Sequence, residues 1–79
     1  MSEEQLKALY FVDRGLVERA RAAATQKNQG RFAAALAKYI SHVGFANLYL
    51  QTHNIHKIGE HLRVADEMKQ VLENIAGEQ

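Results

Sequence analysis

Phe32 to Leu50 reads FAAALAKYISHVGFANLYL, a run whose one permanent charge is Lys38. No other part of the chain is so uniformly apolar, and its reading decides the fold. Its length is near that of a membrane span, yet Lys38, Ser41, His42 and Asn47 interrupt it. A lysine near the centre of a span costs about 2.5–3.5 kcal/mol on insertion scales, and the remaining residues barely offset that. The stretch is therefore expected to be a helix of a soluble protein, packed on more than one side as the middle layer of a small helical bundle. Two stripes run along it. Phe32, Leu36, Tyr39, Val43, Ala46 and Leu50 recur in the three-four alternation of a packed seam. Beside them Ala33, Ala37, Ile40, Gly44 and Leu48 form a mostly small-residue stripe. A glycine at position 44, in mid-helix, implies the close approach of another backbone.

Toward the N-terminus, Ser2-Glu3-Glu4-Gln5 has the composition of a capping box, with Glu3 and Glu4 suited to the positive end of a helix dipole. Leu6, Leu9, Val12, Leu16, Ala20 and Ala23 then recur at helical spacing, widened by Tyr10 and Val17. Gly15 lies within this run and Asp13 is a potential N-cap, so a break near 13–15 is one reading; a single helix over about 3–28 is preferred. Lys27 suits the C-terminal end of that helix, and Gly30 is expected to end it in the left-handed conformation. Toward the C-terminus, Gln51-Thr52-His53-Asn54 is a turn with Asn54 as the better N-cap. Ile55, Ile58, Leu62, Ala65, Met68, Leu72 and Ile75 follow as the cleanest amphipathic face, opposite a solvated Lys57, Glu60, Arg63, Glu67, Gln70 and Asn74. Gly77 is a suitable terminator, with Glu78 and Gln79 frayed. The expected fold is all-α: a three-helix antiparallel bundle with helices at about 3–28, 31–51 and 55–76, one domain over 1–79, associating as a dimer.

The bulk numbers agree. At 79 residues the chain is one domain near the lower size for an unassisted core. Proline and cysteine are absent, which favours helix and removes disulfides and thiolate metal sites. The net charge of +1 gives no global reason to expect a polyanionic partner. The acidic start does not resemble a secretory signal, so a soluble, cytoplasmic protein without a membrane segment is expected.

Gly30-Arg31-Phe32-Ala33-Ala34-Ala35-Leu36-Ala37-Lys38-Tyr39 resembles the G-x-[YF]-x-x-A-L-x-x-Y signature of tetratricopeptide repeats. His42 stands where that repeat has a small alanine. Leu62-Arg63-Val64-Ala65-Asp66-Glu67-Met68-Lys69-Gln70-Val71-Leu72 looks like the last helix of microtubule-interacting-and-transport-type domains, although the connection between second and third helices is shorter here. What the resemblance implies is a three-helix domain that binds a short helical or extended peptide in a groove between helices.

No phosphate loop, nucleophile elbow or metalloprotease motif is present, so neither an enzyme nor a cofactor is expected. His53, His56 and His61 gather near the second turn, with His56 and Glu60 one helical turn apart. This spacing can hold a divalent ion, but Lys57 opposes a dication and no metal site is assigned. His42 reads as a half-buried histidine satisfied by a neighbour, or as a pH-sensitive group at an interface. A basic segment runs from Arg14 to Lys38, with Arg21, Lys27 and Arg31 converging on the first turn. The apolar surplus on the second helix, together with the aromatics, points to partner binding through Tyr10, Phe11, Ala37, Gly44, Phe45, Leu48 and Tyr49. The function expected is a small helical protein-interaction module, adaptor, chaperone or inhibitor in type, that binds itself and another protein. The alternative is a nucleic-acid-associated regulator using the Arg14–Lys38 segment.

Overall fold

The computed structural model describes residues 8–77. The capping box at Ser2–Gln5 and the fraying at Glu78 and Gln79 lie outside them. Within the described residues the chain forms three helices, α1 (Arg14–Ala23), α2 (Gln29–Gln51) and α3 (Ile55–Gly77), with no strand. This is the expected all-α bundle. No helix among the described residues is long and apolar enough to cross a membrane.

The first helix departs from the single element expected over 3–28. Residues 9–13 leave the helix, and α1 starts afresh behind Asp13, whose carboxylate accepts the Leu16 N–H at 3.0 Å. The physical reason lies on α2. The Tyr39 hydroxyl accepts the Asp13 N–H at 2.9 Å and donates to the Phe11 carbonyl at 3.5 Å, while the Asn47 amide donates to the Tyr10 carbonyl at 2.8 Å. Backbone groups that a continuous helix would pair internally are thus satisfied by side chains of another helix. At the other end α1 stops at Ala23, because Ala24 is extended and the Asn28 side chain accepts the Thr25 N–H at 2.6 Å. Gly30 takes no part in the stop: no glycine has positive φ, and α2 already includes it.

Tyr39, Val43, Ala35 and Phe32 of α2 meet Leu16, Val17 and Ala20 of α1 and Ala65, Leu72 and Ile75 of α3 in one buried cluster. Leu9, Ala46 and Leu62 form a second, flanked by Tyr10 and Ile58. On α3 the polar face from Lys57 to Asn74 is exposed as its spacing predicts, while Ile55 at its start is exposed rather than buried. The turn between α2 and α3 closes with His53 in the left-handed region (φ 56°), the His53 N–H bonded to the Leu50 carbonyl and the Asn54 N–H to that of Tyr49. Asn54 then caps α3 by accepting the Lys57 N–H at 3.2 Å.

The middle position of the bundle belongs to α3, not to α2. The backbone of α3 packs closely against both other helices, whereas those of α1 and α2 lie farther apart and the two meet through side chains. The expectation that Phe32–Leu50 is covered on several sides is therefore not met among the described residues: one side of α2 builds the core and another has no partner there.

Candidate functional site

Where α1 and α2 diverge, an open groove of about 380 Å³ runs between them. Val12, Val17, Leu36 and Ile40 supply its apolar walls, with Arg14, Glu18 and Arg21 at the rim. Ile40 belongs at the same time to the outward stripe of α2. Along that stripe Ala33, Ala37 and Gly44 are exposed, Ile40 is 49% exposed and Leu48 56%. At 100° per residue these five positions fall within one narrow sector. Of the six large exposed hydrophobics among the described residues, Ile40, Phe45, Leu48 and Leu50 lie on α2. Gly44 stands in this sector with open space where a Cβ would point. No neighbour among the described residues requires glycine there.

The residues expected to bind a partner are thereby sorted into separate places. Ala37, Gly44 and Leu48 share the outward stripe. Phe45 and Tyr49 lie on the α3 side of α2, where Phe45 stacks on His61 with ring centres 5.0 Å apart and Tyr49 at 5.5 Å. Phe11 is exposed on the break before α1, and Tyr10 is half-buried against the second core cluster. Tyr10 also borders an apolar recess at the far end of the bundle with Leu50, Ile55 and Ile58.

Arg21 lies in the last turn of α1, Lys27 in the connection that follows and Arg31 in the first turn of α2. Arg21 pairs with Glu18 at 3.1 Å, both largely exposed, which is worth little in water. Arg31 stands beside Glu73 and Asn74 of α3, and Lys27 is exposed in the first turn.

The histidines regroup most. His61 turns away from His53 and His56 and meets His42, with Nδ1 to Nδ1 at 2.7 Å and ring centres 4.9 Å apart. Glu60, expected to face His56, is instead 3.8 Å from the Lys57 ammonium. No three histidine or carboxylate groups among the described residues converge as metal ligands. Partial burial first, then the positive charges of His61 and Lys38, hold the His42 imidazole below its ordinary value. The expectation that a neighbour satisfies His42 is met, but that neighbour was not foreseen. The tight turn at 52–54 places the two rings on facing helices, but no spacing within either helix pairs them.

Comparison with protein-family models, curated proteins and solved structures returned no match for this chain.

Proposed function

We propose that the chain is a small helical protein-interaction module that acts by binding another protein, and that a second copy of itself is the first such partner. The observation that carries this reading is Gly44. A glycine in the middle of a helix costs about 1 kcal/mol against alanine, and nothing in the packing of the described residues calls for it, since a Cβ there would meet open space. Flanked by exposed Ile40 and Leu48, it suits the close approach of a helix from outside. The adjoining α1–α2 groove, apolar within and charged at its rim, extends the same surface and fits an amphipathic helix laid along it. Groove binding of a helical segment is also what the resemblance to tetratricopeptide and microtubule-interacting-and-transport domains implies. Adaptor, chaperone and inhibitor roles all follow from such a surface.

Gly44→Leu tests the reading. Within one chain the new side chain enters solvent, so the isolated fold should gain about 1 kcal/mol from helix propensity. Between chains it occupies the space reserved for a second backbone. The expected result is a wild-type dimer by light scattering at high micromolar concentration and a monomeric, more heat-stable variant. A strictly monomeric wild type without any stoichiometric protein partner overturns the proposal. Nucleic acid retained through low-salt purification would favour instead the regulator that uses Arg14–Lys38.

A further inference from the structure

The α3 side of α2 holds two imidazoles in direct contact. Nδ1 of His42 and Nδ1 of His61 are 2.7 Å apart, a hydrogen-bond distance that requires one ring to carry a proton on Nδ1 and the other to present a lone pair. Two nitrogen ligands of a tetrahedral zinc, each 2.0–2.1 Å from the metal, would stand roughly 3.3 Å apart. The observed spacing is thus that of a proton between the rings rather than a metal. Around the pair, His61 stacks on Phe45 and Tyr49, and His42 meets Phe45 edge-on with ring centres 6.2 Å apart. Three residues of α2 on successive turns therefore hold one ring of α3.

We propose that His42 and His61 form a proton-operated latch between α2 and α3, closed while one Nδ1 proton lies between the rings and opened when both rings become cations. With both protonated, each Nδ1 is a donor and neither accepts. Two positive rings would then stand within hydrogen-bond distance. The other charged groups do not relieve this. Lys38, one turn before His42 on α2, adds a further positive charge. Glu60 on α3 is engaged by Lys57, and Asp13 of the N-terminal segment by the Leu16 N–H. Opening the latch withdraws His61 from Phe45 and Tyr49 and adds aromatic surface to a flank where Phe45 is already 46% exposed. The inference stands on the pair's own geometry and does not require the dimer.

The sign of the pH dependence follows from linkage. The folded chain binds a proton at His42 less readily than the unfolded chain does, so this contribution to stability is complete above the ordinary histidine range. It is lost as pH falls from there through the lowered folded value. The experiment is an NMR titration of the imidazole resonances of the full chain from neutral to mildly acid pH, with thermal melts at each pH. The exposed His53 and His56 serve as comparison in the same spectrum. Two variants are measured: His61→Phe, which keeps an aromatic ring on Phe45 and Tyr49 but no imidazole, and His42→Gln. In the wild type the His42 and His61 resonances should move together in two coupled steps. The melting temperature should fall on acidification, and fall less in either variant that folds. Independent single steps at His42 and His61 overturn the latch. So does a pH dependence of melting that neither variant changes.

Discussion

A single hydroxyl decides how the chain begins. Tyr39 is fully buried, and its oxygen accepts the Asp13 N–H at 2.9 Å, closing a contact between residues far apart in sequence. Burial pushes the phenol above its ordinary value, so it remains a neutral O–H at neutral pH, and the Asp13 N–H bond works partly against this. Tyr39→Phe keeps the packing and leaves a partly buried N–H without its acceptor, at an expected cost of roughly 1–3 kcal/mol. Urea denaturation reads the loss, and amide exchange at Asp13 should accelerate with it. An unchanged midpoint would mean that water replaces the hydroxyl and that the break is held by other contacts. Asp13 and Gly15 made this break visible in the sequence as an option, and the summed local preferences then favoured one continuous helix. The acceptor that overrides them lies on another helix, where no local reading reaches it.

At the scale of the element, the seams were legible and their partners were not. Phe32, Tyr39, Val43 and Ala46 are buried as their spacing predicts, as are Leu62, Ala65, Leu72 and Ile75 on α3. Periodicity reports that a face is apolar without saying whether the covering surface belongs to the same chain. That is why α2 reads as the middle layer when α3 holds that place. The turn joining these helices carries a second local cost. His53 occupies the left-handed position that ends α2 (φ 56°), with both backbone bonds of the motif formed from His53 and Asn54. A side chain there costs roughly 1–2 kcal/mol, and glycine gives back about 0.5–1 kcal/mol through its freer unfolded chain. His53→Gly is therefore expected to stabilise the protein by a few tenths to about 1 kcal/mol, read as a raised melting temperature. A lowered one would show that the His53 side chain contributes packing over the apolar recess it borders with Tyr10 and Leu50.

The molecule as a whole is elongated. Its principal extents are 41 × 22 × 16 Å and its radius of gyration is 12.9 Å, against about 11–12 Å for a compact chain of this length. Its core is correspondingly small, and the α2 stripe with Ile40 and Leu48 lies exposed beside it. A second chain on the α2 stripe would thicken it where apolar surface is most continuous, and folding and association would then be linked by mass action. The melting temperature of the wild type should accordingly rise with protein concentration. Ile40→Glu places a charge where the outward stripe meets the α1–α2 groove, at a residue already 49% exposed. In the isolated chain the carboxylate reaches water, so the far-UV spectrum and dilute-limit stability should change little. In an assembly it would be buried without a partner, a cost of several kcal/mol that abolishes the concentration dependence. If melting is independent of concentration in the wild type and the variant alike, the open face of α2 is covered by something other than a second copy of the chain, or by nothing at all.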